Sequence, residues 1–234
     1  MMARKQKVLQ QTARKLIAFT TPRSFVAEQF RTLRTNITFS SPDTDIRTMV
    51  VTSAAPSEGK STTSANLAVV YAQEGKRVLL IDGDMRKPTT HYTFHMGNTV
   101  GLSSILTRQA TAEEAIRPTS VERLELLTSG PIPPNPAELL SSQSMDALIQ
   151  HLKGIYDLVI FDAPPVLSVT DAQILANKCD GTILVVSSGN TEKEQAAKAK
   201  EAIAASNSKI IGAVLNNFEL PKDSNYYQYY GSTE

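Results

Sequence analysis

At 234 residues the chain is long enough for one substantial core, and a single α/β domain with tails is expected rather than two domains. A composition of 41% hydrophobic and 20% charged residues excludes general disorder, and the apolar runs, such as 78–81 and 158–161, fall far short of the roughly 20 residues that span a bilayer. The formal net charge of +1 implies no overall polyanion-binding surface, so no nucleic-acid partner is expected.

Residues 1–24 form a basic arm, with Arg4, Lys5, Lys7, Arg14, Lys15 and Arg23 and no acidic residue before Glu28. It reads as a solvated terminus or as a group that touches phosphate or anionic lipid. No apolar core with a small-residue cleavage site is present, so secretion is not expected. A helix follows over 25–37, where Val26, Phe30, Leu33 and Ile37 share one face and Glu28, Arg31 and Arg34 another. From there to residue 218, short Val, Ile and Leu runs recur at 48–52, 77–81, 124–128, 158–161, 181–187 and 210–215, the pattern of strands buried on both faces.

Helical segments lie between them at 61–74, 144–153, 171–179 and 191–205, the first stopped by Gly75. This alternation implies βαβ units and a mostly parallel sheet flanked by helices. The proline-rich stretch 130–136 is expected to be a surface loop, with Asn135 and Pro136 opening a helix through Leu140. The only cysteine, Cys179, cannot close an internal disulfide and is assigned a packing role in a reducing cytosol. Residues 219–234 are polar and aperiodic and are read as a mobile tail holding Tyr226, Tyr227, Tyr229 and Tyr230, four of the seven tyrosines.

The chemistry centres on Ser53-Ala54-Ala55-Pro56-Ser57-Glu58-Gly59-Lys60-Ser61-Thr62, set between a strand and a helix. Spacing and context match a phosphate-binding loop, with Ala54 at the usual first glycine. Backbone amides of such a turn and of the helix start bind phosphate oxygens, Lys60 contacts the β and γ phosphates, and the Ser61 hydroxyl holds Mg²⁺. Two acidic strand ends follow. Asp82 and Asp84 are two apart and point the same way if the strand persists, and Asp162 suits an outer contact to Mg²⁺. A tyrosine with its pKa near the ordinary value of about 10 is a poor nucleophile at neutral pH, and Asp82 is the expected proton acceptor. The Gly-rich loop, His-Arg-Asp and Asp-Phe-Gly of eukaryotic kinases are absent.

The loop, the Asp-x-Asp strand end and Asp162-Ala163-Pro164-Pro165, with Glu28-Gln29-Phe30-Arg31-Thr32-Leu33-Arg34 and the tyrosine tail, resemble the bacterial tyrosine kinases of capsule and exopolysaccharide synthesis over nearly the whole chain. That resemblance implies a deviant-Walker P-loop fold with Lys60, Ser61, Asp82, Asp84 and Asp162 in a Mg-ATP site. It implies a homo-oligomeric ring through Glu28, Arg31 and Arg34, in which a neighbour's tail tyrosine enters the site. It implies a separate transmembrane activator and a cytoplasmic position at the inner face of the membrane, with a cognate tyrosine phosphatase and other protein substrates as further partners. Asn216 is carried over as an adenine contact, with a turn or cap role as its alternative. Two other functions share the fold: a positioning ATPase of the MinD and ParA kind, and a nucleotide-gated scaffold. Against the first, Ala55 stands where such ATPases carry their signature lysine.

Overall fold

Each of the six apolar runs forms a strand, and a seventh joins them at one edge. The structure, a computed structural model, describes residues 14–40 and 45–219. In chain order its elements are α1 (Ile17–Thr20), α2 (Phe25–Phe39), β1 (Thr48–Ser53), α3 (Lys60–Gln73), β2 (Val78–Asp82), α4 (Thr90–Thr93), α5 (Leu102–Leu106), α6 (Ala112–Ala115) and β3 (Ile116–Pro118). They continue with β4 (Leu124–Leu127), α7 (Pro136–Ser141), α8 (Gln143–Ile155), β5 (Leu158–Asp162), α9 (Asp171–Lys178), β6 (Gly181–Ser187), α10 (Lys193–Ala205) and β7 (Ile210–Asn216). The sheet order is β3-β4-β2-β5-β1-β6-β7, parallel throughout except for the pairing of β3 with β4.

Because successive strand side chains point to opposite faces, each strand feeds two cores. Val50, Leu79, Ile81, Val159 and Phe161 meet Leu148 and Leu152 of α8, Leu175 of α9 and Ile203 of α10. Met49, Val51, Val78, Leu80, Leu158 and Ile160 meet Leu67, Val70 and Tyr71 of α3 and Ile37 of α2. Coverage of both faces explains why the strand sequences are apolar rather than alternating. Helix α3 is apolar almost all round for the same reason, being buried from Thr63 through Ala72. It ends as expected at Gly75, whose φ of +100° lets its N–H reach Ala72 O and the Lys76 N–H reach Tyr71 O.

Four details differ from the sequence reading. The end of the expected solvated arm packs against α3 instead, with Ala18 of α1 fully buried and its N–H donated to Asn66 Oδ1 at 2.9 Å. In α2, started by Ser24 Oγ accepting the Ala27 N–H, Phe30, Leu33 and Ile37 pack inward, but the buried place in the first turn belongs to Ala27. Val26 sits at the margin of that face and is exposed. Asn135 precedes α7 as expected but makes no backbone cap; its side-chain amide donates to Glu138 Oε2 at 2.9 Å. The antiparallel β3 was not anticipated, since three residues of mixed polarity carry no periodic signal. The proline-rich segment between Pro131 and Asn135 is exposed, as the missing donors required.

At the opposite end of the sheet from the phosphate loop, Asp180 binds the start of β1 to β6. Its Oδ2 accepts the N–H groups of Arg47 and Thr48 and the Thr48 hydroxyl, while Oδ1 accepts Lys153 Nζ at 2.9 Å. Burial alone would raise this carboxyl, yet the Lys153 ammonium and the Thr48 and Arg47 donors hold it below the usual range.

Candidate active site

The phosphate loop leaves β1 after Ser53 and enters α3 at Lys60. Two of its residues have positive φ, Ser57 at +67° and Gly59 at +97°. Ala54 is not among them, so alanine replaces the usual glycine there without strain. Gly59 has no such freedom: a Cβ on it would lie 2.0 Å from Asn216 Nδ2. Strand β7 therefore backs the loop directly, with the Asn216 amide donating to Glu58 O at 3.0 Å.

Strands β2 and β5 are neighbours in register, so Asp82 and Asp162 end side by side. The third carboxylate arrives differently from the expectation. The strand stops at Asp82, and a turn carries Asp84 inward, its N–H on Asp82 Oδ1 and its own Oδ1 accepting the Lys87 N–H. Lys60 Nζ then lies 3.5 Å from Asp84 Oδ2, 3.4 Å from Asp162 Oδ1 and 3.3 Å from Ser61 Oγ. Burial would lower this lysine, but Asp162, Asp84 and Asp82 together hold it above the ordinary value.

Asp82 is fully buried and accepts the N–H groups of Thr89 and Thr90 as well as that of Asp84. Burial, followed by the charge of Asp162, pushes its carboxyl up to about 7. A cavity of about 590 Å³ opens above the cluster, and its walls include Ser57, Lys60, Ser61, Asp84, Arg86 and Asn216. Asp84 is thus the carboxylate at the surface of the cavity, with Asp82 behind it. From the basic arm, Arg14 also reaches this cavity, its N–H on Thr93 Oγ1.

The residues present fit a magnesium nucleotide. A close-approach glycine, a loop of backbone amides, a lysine and the Ser61 hydroxyl surround a cavity of suitable size, with carboxylates at one wall. Among the described residues no group of three or more His, Cys, Asp or Glu is arranged to hold a metal by itself. Magnesium does not require one, because it keeps several waters and pairs one or two carboxylates with the phosphates.

Two contacts at the site were not read from the sequence. Arg86 donates from Nε and Nη2 to the two oxygens of buried Asp171, both at 2.9 Å, which ties the Asp84 turn to the start of α9. Glu58, inside the loop, is buried and hydrogen-bonded to Thr191 across the strand ends. Both partners are distant in sequence, so no local pattern announces them.

Glu28, Arg31 and Arg34 lie away from this cavity on α2. Arg31 pairs with Glu28 and donates to Pro22 O at 2.7 Å. Arg34 turns toward α3, donating to Val70 O at 3.1 Å and standing 3.6 Å from Glu74. The four tail tyrosines and residues 1–13 lie outside the described residues.

A family model described as AAA domain matches residues 47–214. Tyrosine-protein kinase YwqD of Bacillus subtilis (strain 168) is 57% identical over 221 residues, which cover 94% of this chain and 93% of that protein. The chain belongs to the bacterial tyrosine-protein kinases. The putative tyrosine-protein kinase CapB of Staphylococcus aureus is 43% identical to this kinase, covering 90% of the chain and 92% of CapB. The crystal structure of the chimerical protein CapA2B2 superposes with a TM-score of 0.85 at 46% identity, over 89% of this kinase and 93% of that chain. The septum site-determining protein MinD from Pyrococcus horikoshii, solved with Mg-ADP, matches at TM-score 0.64 and 24% identity over 77% of this kinase and 72% of that chain. That likeness shows the fold alone, and the positioning-ATPase alternative is not favoured.

Proposed function

We propose that this kinase moves the γ-phosphoryl group of Mg-ATP onto its own tail tyrosines, Tyr226, Tyr227, Tyr229 and Tyr230, between subunits of an oligomer. This autophosphorylation would regulate capsule or exopolysaccharide synthesis and export. The observation that carries the reading is the convergence of Lys60, Ser61, Asp84 and Asp162 at one end of a nucleotide-sized cavity.

Bound Mg²⁺ supplies charge neutralisation and orientation of the phosphate oxygens. The chain supplies the remainder. Loop amides and the start of α3 hold the phosphates, and Lys60 moves from the carboxylates to the transferring group, where it offsets charge in a loose transition state. The acceptor phenol oxygen bonds to the γ-phosphorus as the bond to the β–γ bridging oxygen breaks, leaving ADP. The phenolic proton passes to the Asp82 and Asp84 pair. Asp84 faces the cavity and is the carboxylate the phenol would meet first, with Asp82 buried behind it.

No helix among the described residues is long and apolar enough to cross a membrane. A separate transmembrane activator that holds the kinase at the inner face of the membrane is part of the proposal. Ring assembly through Glu28, Arg31 and Arg34 belongs to the same reading.

The test is phosphosite mapping by mass spectrometry after incubation with Mg-ATP, with and without the cytoplasmic fragment of an activator. Phosphate on the tail tyrosines, lost in Lys60→Arg and Asp84→Asn, is the expected result. ATP hydrolysis with an unmodified tail in the presence of activator would replace the kinase by a scaffold.

A further inference from the structure

The sequence of the loop contains an acidic residue where it is least expected. Glu58 lies between the two positive-φ residues Ser57 and Gly59, and only 4% of it is exposed. A carboxylate buried in a loop that must receive a triphosphate opposes that ligand electrostatically. Among the described residues no lysine, arginine or histidine forms an ion pair with it. What it does make is a set of hydrogen bonds within and beyond the loop.

The contacts show what that geometry is. One carboxylate oxygen accepts the Ala55 N–H at 3.0 Å, closing the loop on itself. The other accepts the hydroxyl of Thr191, whose oxygen in turn accepts the Ser187 N–H at 2.8 Å. Ser187 Oγ accepts the side-chain amides of Asn217 at 2.9 Å and Asn190 at 3.2 Å. Through Glu58 O, the same residue also receives the Asn216 amide. The loop is thereby fixed to the ends of β6 and β7, and Asn216 and Asn217 at the end of β7 line the cavity. Ser57 itself is exposed and has positive φ, and the bonded residues Ala55 and Glu58 stand on either side of its stretch of loop.

We infer that Glu58 and Thr191 form a latch that positions the phosphate loop for nucleotide. Glu58 is the positioning residue and the Thr191 hydroxyl its specific partner. The latch sets nucleotide affinity by preorganising the loop, without touching the phosphates. This inference rests on the nucleotide-site reading above and adds a pair of residues to it.

The test uses the full chain, a fluorescent ATP analogue with Mg²⁺, and melting temperatures taken without nucleotide. Thr191→Val removes the hydroxyl at constant shape, Thr191→Ser keeps it, and Glu58→Gln removes one acceptor. Thr191→Val and Glu58→Gln should each weaken nucleotide binding about tenfold, and Thr191→Ser should stay within about twofold of the parent. The double variant should bind no more weakly than the weaker single one, as expected of groups acting through one contact. All four should melt within about 3 °C of the parent.

Parent-like binding by Thr191→Val, failure of Thr191→Ser to retain affinity, additive losses, or a loss seen only with a lower melting temperature would each overturn the latch. Because the readout is binding, these outcomes are separate from failure of the kinase reading, which would appear as a parent that binds nucleotide but leaves the tail unmodified.

Discussion

The Lys60 ammonium stands 3.4 Å from an oxygen of Asp162, a carboxylate whose side chain is 1% exposed. The phosphate-loop lysine is therefore the counter-ion of its own acidic cluster, and it has two jobs that substitution can separate. Lys60→Met should abolish phosphorylation and also leave buried carboxylates without a cation, a change of about 3 kcal/mol or more. For a chain of this size that corresponds to a melting temperature lower by roughly 6–12 °C. Lys60→Arg keeps the charge, so it should melt near the parent temperature while losing activity, because the planar guanidinium does not reproduce a point charge at the phosphates. Thermal melts without nucleotide, beside phosphosite mapping, check both.

Asp180 gives the pH dependence a defined sign. Its folded pKa is held below the unfolded value, so its stabilisation is fully present above the ordinary aspartate range near 4 and is lost as pH falls through the folded value. Asp180→Asn should lower stability by about 1–3 kcal/mol at pH 7, where the Arg47 and Thr48 donors lose a charged acceptor. The gap between variant and parent should narrow as pH falls below 4. Urea melts from pH 3 to 7 measure it, and a gap independent of pH would show that Asp180 is not the titrating group.

Cys179 should be chemically quiet. Burial pushes its thiol up to about 12, so little thiolate forms at pH 8 even though the residue is only half-buried. Native protein should react with Ellman's reagent far more slowly than protein in urea. As the chain has a single cysteine, each trace reports on one site.

The α2 arginines should separate. Arg31 pairs on its own helix and with Pro22 O, whereas Arg34 binds the Val70 carbonyl of α3. Arg31→Ala should reduce self-association in sedimentation with a melting temperature within about 2 °C of the parent. Arg34→Ala should reduce self-association and also cost about 1 kcal/mol of subunit stability.

The parts of this molecule that could be read in advance are those with local signals. Buried parallel strands are continuous apolar runs, Gly75 ends a helix because of its φ, and the spacing from Ala54 to Ser61 marks the phosphate loop. Helices α1, α4, α5 and α6 and strand β3 are too short to show a period, and they escaped. The approach of Asp84 to Lys60 came by a turn rather than by strand alternation. Glu58 with Thr191 and Arg86 with Asp171 depend on the sheet order that brings distant strand ends together, which no single segment encodes.

The contact of Asn216 with Gly59 also has a meaning in time. A chain emerging from the ribosome presents the phosphate loop early and β7 late, and a domain generally folds as a unit. Until residues 210–216 have cleared the exit and added the last strand beside β6, the loop lacks its support. The phosphate loop of a nascent kinase thus gains its backing only with the last strand, which couples completion of the site to completion of the sheet.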